Sequence, residues 1–134
     1  MHEKRITIRW RDMDAYGHVN NAVYLNYLEE ARDEWLERAL GKSGDPWDYV
    51  VARVAIDFKS ELKQTDGEIV VRCALGRLGT SSLHLREEIV AGGDRVAARA
   101  ESVLVAYDRK AGRSRPLTAA ERAALEEDLD GLDV

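Results

Sequence analysis

A single cysteine, Cys73, stands in 134 residues. It cannot close an internal disulfide, and the paired-cysteine spacing of a structural metal site is absent. In the apolar run "IVVRCALG" it reads as a small buried hydrophobe. Three histidines, at positions 2, 18 and 84, are too scattered to form a metal set, so no metal and no cofactor is expected. No window approaches the ~18 apolar residues of a membrane helix. The opening "MHEKRITIRW" lacks the apolar run of a signal peptide. A soluble, cytoplasmic protein without a membrane partner is the resulting expectation. Positive charge is in deficit, with 20 Lys and Arg against 25 Asp and Glu, a net charge of −5. A nucleic-acid partner is therefore not expected, although a local basic patch for an anionic ligand is still allowed. Repeats, linkers and low-complexity tracts are missing too, which leaves one domain over residues 1–134.

What is present suits a single core: 45% of the residues are hydrophobic. Residues 5–10 alternate, with Ile6, Ile8 and Trp10 on one face, and predict a half-buried strand. Over residues 21–40 the period becomes helical. Tyr24, Leu28, Ala31, Trp35 and Ala39 fall on one stripe, widened by Leu25 and Leu36. Glu29, Asp33, Glu37 and Arg38 occupy the other side. Asn20 or Asn21 can cap the start, and Gly41 can end the helix. After the loop 41–48 the period changes to two. Val50, Ala52, Val54, Ile56 and Phe58 alternate with Val51, Arg53, Asp57 and Lys59. "QTDG" (64–67) is a turn, followed by a strand through Ile69, Val71, Cys73 and Leu75. "GRLGTSS" (76–82) is a turn or kink, and a strand through Leu83, Leu85 and Ile89 follows it. "GGD" (92–94) closes a hairpin onto a long strand through Val96, Ala98, Ala100, Leu104 and Ala106. A basic loop, "DRKAGRSR", leads to a short helix whose Thr118 and Glu121 fit a capping box.

Short turns make consecutive strands antiparallel neighbours. One long amphipathic helix needs one sheet face to bury it. The expected fold is therefore α+β: a curved antiparallel five-stranded sheet wrapped around the long helix, with a short C-terminal helix. Val51, Val70, Val103 and Val105 are expected on the outer sheet face. A sheet apolar on both faces predicts a further subunit against it, hence a homodimer at least.

The stretch "RWRDMDAYGHVNNAVYLNY" (9–27) differs from the rest. Two carboxylates, a glycine, a histidine and two asparagines are packed between a strand and the long helix. A helix N-terminus offers unpaired backbone N–H groups and about half a positive charge. Aimed at a carbonyl oxygen, such donors form an oxyanion hole, and a carboxylate nearby can activate water or attack directly.

"RDMDAYGHVNNAVYLNYLEEAR" resembles the D-x-D-x-x-G-H-V-N-N…Y…E-x-A-R segment of hotdog-fold thioesterases, in particular the 4-hydroxybenzoyl-CoA thioesterase-like acyl-CoA thioesterases. "RLGTSSLHLREEI" resembles the family's stretch after the third strand, a weaker signal. The resemblance implies a hotdog fold that hydrolyses acyl-CoA to a carboxylic acid and free coenzyme A, in a homodimer or homotetramer (a dimer of dimers). It implies that Asp14 is the catalytic carboxylate, as general base or as nucleophile. It also implies that the backbone from Gly17 to Asn21 holds the thioester carbonyl, with the N–H of Asn21 the best match for the polarising donor.

The neighbouring residues carry alternatives. Asp12 reads as structural, bonding loop N–H groups or pairing with Arg11. His18 can bond nearby backbone, orient Asp14 or line the site. Gly17 permits a turn with positive φ or close approach of substrate. Tyr24 packs in the core or lines the pocket. Glu30 is a fallback carboxylate, because other hotdog branches place one on this helix. Thr80, Ser81 and Ser82 can bond the pantetheine or nucleotide. Arg109, Lys110, Arg113 and Arg115 form a solvated loop that can also meet coenzyme A phosphates. Rival readings are an acyl-carrier-protein thioesterase, a non-catalytic acyl-CoA binder and, ranked lowest, a hotdog hydratase.

Overall fold

The computed structural model describes residues 1–129; the last five residues of the expected domain, 130–134, lie outside the described part. The elements are β1 (His2–Thr7), α1 (Asn21–Leu40), β2 (Tyr49–Phe58), β3 (Glu68–Leu78), β4 (Ser82–Ala91), β5 (Arg95–Asp108), β6 (Arg113–Ser114) and α2 (Ala119–Glu126). Single 3-10 turns stand at Trp10–Asp12, Pro46–Asp48 and Gln64–Asp66. The strands run antiparallel in the order β1-β3-β4-β5-β2, and β6 adds a two-residue extension to β5. The sheet curls around α1, the hotdog arrangement expected from the sequence. Among the described residues, no helix is long and apolar enough to cross a membrane.

α1 forms where expected. The Asn20 side chain accepts from Ala22 N–H, and Gly41 ends the helix at φ +54. Its buried face is Tyr24, Tyr27, Leu28, Ala31, Arg32, Trp35, Leu36 and Leu40. Leu25 does not widen that stripe: it is 41% exposed. Tyr27 takes the place instead, three residues from Tyr24 and four from Ala31, as helical geometry requires.

Two strand readings are corrected. The first strand ends at Thr7, so Trp10 does not continue the face of Ile6 and Ile8. Ile8 N–H makes a last bond to Gly67 O at 2.8 Å, and the chain then turns, leaving Trp10 78% exposed. In β2 the register slips between Val51 and Arg53, a β-bulge. The bulge reverses the phase before it. Tyr49 and Val51 oppose Ala106 and Leu104, residues of the inner face, so Val51 is not on the outer face; Val50, opposite Val105, is. The β3 kink lies between Leu75 and Arg77, and the tight turn that follows leads into β4.

The outer face is mixed. Val70, Val103 and Val105 are half-buried there. Beside them runs a cross-strand ion-pair row, Glu3–Arg72–Glu88–Arg99, from β1 to β5.

The core falls into two clusters. One contains Ile8, Val19, Tyr24, Leu28, Ile69 and Ile89; the other contains Trp35, Leu40, Leu75, Leu85, Leu104 and Leu125. Between them lies a buried polar group. Arg32 Nε donates to Glu87 Oε2 at 3.1 Å, an Arg32 terminal nitrogen to Ser102 Oγ at 3.0 Å, and Ser102 to Glu87. At the far end Glu121 ties α2 down. It accepts from Arg115 at 2.8 Å and 3.0 Å and from Tyr49 OH at 2.7 Å, and it closes the capping box with Thr118 N–H at 2.8 Å.

Candidate active site

The polar stretch forms a compact loop at the N-terminus of α1. Asp14 N–H bonds His18 O at 3.1 Å and Gly17 N–H bonds Asp14 O at 3.1 Å, closing a tight turn. Gly17 sits at φ +84, a conformation that L side chains adopt only with strain. The open space beside its Cα means that backbone angle, not crowding, selects glycine. Met13 and Val19 pair across the loop, and Val19 N–H bonds Leu62 O at 2.7 Å.

Asp12 is the buried brace of this loop, 3% exposed. Its Oδ2 accepts from Arg9 N–H at 2.9 Å and from Tyr27 OH at 2.6 Å, and Oδ1 lies 3.3 Å from the Arg9 guanidinium. Arg9, not Arg11, is thus its cation. Burial pushes the Asp12 carboxyl up, and the bonds from Tyr27 and Arg9 more than offset that, leaving it below the usual carboxylate range. Burial and the Asp12 carboxylate together push the Tyr27 hydroxyl well up, so it stays a donor.

Asp14 is half-exposed. Its Oδ1 accepts from Tyr16 N–H at 2.9 Å and its Oδ2 from Asn20 Nδ2 at 3.1 Å. Asn20 is the cap of α1, so the carboxylate is tied to the helix start itself. In the first turn, Ala22 N–H is met by Asn20 Oδ1 at 2.9 Å and Val23 N–H by Asn20 O at 2.9 Å. The N–H of Asn21 has no partner among the described residues. The structure thus places a fixed, half-exposed carboxylate beside a helix terminus with a free donor.

His18 does not touch the Asp14 carboxylate. Its ring stacks on Tyr16, with centroids 6.4 Å apart, and Nε2 lies 3.7 Å from Glu61. Tyr24 is buried one turn into α1, its hydroxyl given to Ser60 O at 3.1 Å and its ring edge-on to Phe58. Glu30 is exposed on α1, with Lys4 of β1 as a nearby cation.

The remaining candidates lie elsewhere. Thr80, Ser81 and Ser82 form the β3–β4 turn, beyond the Leu78–Leu83 pair. Asp14 lies at the opposite end of the sheet, where Ile8 bonds Gly67 just before β3. The intervening length of β3 is about 30 Å at ~3.3 Å per residue. Ser82 Oγ is 3.1 Å from the His84 ring, and Arg77 contacts the same ring. Arg113 is exposed in β6, near this far end. Arg115 is committed to Glu121, and Arg109 reaches Trp47 O, so the basic loop is partly tied down. A concavity of about 540 Å³ runs between α1 and β2, lined by Glu29, Asp33, Glu37, Trp47, Tyr49 and Val51. Burial and the Glu29 charge push the Asp33 carboxyl up there. Among the described residues, no group of three His, Cys, Asp or Glu side chains converges as a metal site would require.

Two linkages escape the sequence reading. The motif marks Asn20 only as a cap, and the Arg32–Glu87 pair is not anticipated at all. Its signal is nonetheless present: Arg32 lies four residues from both Leu28 and Leu36, and Glu87 shares the inward phase of Leu85 and Ile89. Opposite charges at inward phases on two elements mark a buried pair.

Known proteins share this fold. A thioesterase from Thermus thermophilus, solved with coenzyme A and Zn, superposes with TM-score 0.83 at 33% identity, covering 94% of this chain and 92% of that one. The long-chain acyl-CoA thioesterase FadM of Escherichia coli is 49% identical over 37 residues, 28% of each protein. The chloroplastic acyl-acyl carrier protein thioesterase ATL3 of Arabidopsis thaliana is 31% identical over 90 residues, 63% of this chain and 45% of that protein. The matched stretches thus span less than half of either of these two relatives. A family model described as the thioesterase-like superfamily matches residues 8–129, which takes in the Asp14 loop, α1 and all the later strands. The chain belongs to the thioesterase-like superfamily.

Proposed function

We propose that this protein hydrolyses acyl-CoA thioesters to a carboxylic acid and free coenzyme A. The observation that carries the reading is the bond from Asn20 Nδ2 to Asp14 Oδ2 at 3.1 Å, which joins the carboxylate to the residue preceding the free Asn21 N–H. In this reading the Asn21 N–H and the positive end of α1 face the thioester oxygen as it gains charge. One such donor contributes roughly 3 kcal/mol to lowering the barrier. Asp14 takes a proton from water as the water oxygen attacks the carbonyl carbon; the C–S bond then breaks and the thiolate leaves, to be protonated. Direct attack by Asp14 on the carbonyl carbon instead breaks the C–S bond, expels the thiolate and forms a mixed anhydride, which water then hydrolyses to release the acid and restore Asp14.

Gly17 supports the site by shaping the turn, and His18 by flanking it with Tyr16. Tyr24 supports it from behind, as part of the wall under the helix start. One chain holds Thr80, Ser81, Ser82 and Arg113 at the opposite end of the sheet from Asp14, so a second copy is the more direct way to bring them to the same substrate. A homodimer fits that need. It also fits β2, an edge strand of ten residues with Val50, Val51 and Phe58 exposed. Light scattering is expected to give a multiple of the 15.1 kDa chain mass; a monomer at working concentration would exclude the shared-substrate reading.

The test of function is thiol release from short, long and aromatic acyl-CoAs, with wild type beside Asp14→Asn. Wild-type turnover on part of the panel and a loss of about a hundredfold or more in the variant are expected. Full activity in Asp14→Asn would remove Asp14 from the chemistry. No release from any CoA ester, but release from acyl-carrier-protein esters, would transfer the reading to the carrier-protein class. Binding without release from either would make the protein an acyl-CoA binder.

A further inference from the structure

We propose that Asn20 is a positioning residue for the reaction: one side-chain amide caps α1 and also sets the orientation of Asp14. This rests on the reading of Asp14 given above. The amide can be turned only one way. The Ala22 N–H can be met only by an oxygen, so Oδ1 faces the helix at 2.9 Å. Nδ2 is then turned to Asp14 Oδ2, at 3.1 Å. The backbone of Asn20 is fixed as well, its N–H on Asp12 O at 3.0 Å and its carbonyl on Val23 N–H at 2.9 Å. With Tyr16 N–H on Oδ1, both carboxylate oxygens have a fixed donor, and each keeps a lone pair for water or carbon.

Capping alone does not select asparagine, because serine, threonine and aspartate cap as well or nearly so. Asparagine adds to the acceptor that the helix needs a donor that the carboxylate needs. Any displacement of the helix start is thereby passed to Asp14, and the general base and the oxyanion donors stay in register.

The test separates the two roles with three variants. Asn20→Ser keeps a capping oxygen and loses the donor. Asn20→Asp keeps the cap and the shape but sets a second carboxylate against Asp14. Asp14→Asn, run in parallel, tests the underlying reading. Melting temperature and helical circular dichroism are expected to stay at wild-type values in both Asn20 variants. In Asn20→Ser, kcat is expected to fall about tenfold to a hundredfold with KM little changed, as for a misplaced base. In Asn20→Asp, the acid limb of the kcat/KM–pH profile is expected to move up by about one unit or more at low salt, with activity returning at higher pH. The other charged groups around the loop, Arg9, Asp12 and the His18–Glu61 pair, are the same in all three variants and in the wild type, so they contribute no relative shift. An unmoved acid limb in Asn20→Asp together with full kcat in Asn20→Ser, while Asp14→Asn is inactive, would overturn the positioning role alone. Full activity in Asp14→Asn would overturn the reading beneath it.

Discussion

The hydroxyl of Tyr27, nearly two turns into α1, donates to the buried carboxylate of Asp12 at 2.6 Å and so pins the loop that carries Asp14 to the body of the helix. Tyr27→Phe removes that donor and leaves a charged acceptor short of a partner in the interior. A loss of about 1.5–3 kcal/mol in unfolding free energy is expected, read from urea denaturation. An unchanged midpoint would mean that Arg9 alone satisfies Asp12.

The Arg32–Glu87 pair makes a sharper prediction. Arg32→Met strands an anion between the two apolar clusters and is expected to cost about 3–5 kcal/mol. The double variant Arg32→Met/Glu87→Leu removes both charges and is expected to recover most of that loss. A double variant as unstable as the single would show that shape, not charge, holds this position.

Glu121 predicts the acid side of the stability curve. Burial pushes its carboxyl up, but Arg115, Thr118 N–H and Tyr49 OH outweigh that and bring it down to about 2. A depressed value means stability that is full above the ordinary carboxylate range and lost as pH falls toward 2. The loss is at most about 3 kcal/mol across that window. Unfolding free energy measured from pH 6 to pH 2 is expected to fall less steeply in Glu121→Gln, which starts from a lower plateau.

Cys73 is fully buried, and burial pushes its thiol well up, so thiolate is scarce in the native state. The native protein is expected to be silent toward a thiol-reactive dye and to release one equivalent per chain on denaturation. Reaction in the native state would point to local opening of β3.

Much of this was legible in the sequence, because the burial of one helix against one sheet writes itself as a period. The 20 residues of α1, its cap and its glycine stop lie where the spacing places them. So do Ile69, Val71, Cys73 and Leu75, all fully buried on β3. The bulge before Arg53 was hidden, since one extra residue changes the face of Val50 and Val51 without changing composition. Trp10 leaves the face its alternation predicts, because alternation does not say where the last ladder bond falls. At the site, the motif marks Asp14 and the helix start. It does not show that Asn20 reaches back to the carboxylate, since a side chain's second hydrogen bond depends on the course of the loop. Nor can it show that Thr80 and Asp14 lie at opposite ends of one sheet.

The division of the core has a dynamic consequence. A charged seam gives the two apolar clusters few shared contacts, so each end can loosen without the other. Amide hydrogen exchange is then expected to show two protection levels along α1, one for the turns around Tyr24 and one for those around Trp35. The loop bearing Asp14 would breathe with the first, while the α2 end, clamped by Glu121, stays closed. In the proposed reaction, acyl chains would then enter and leave at the looser end while the other end keeps the fold.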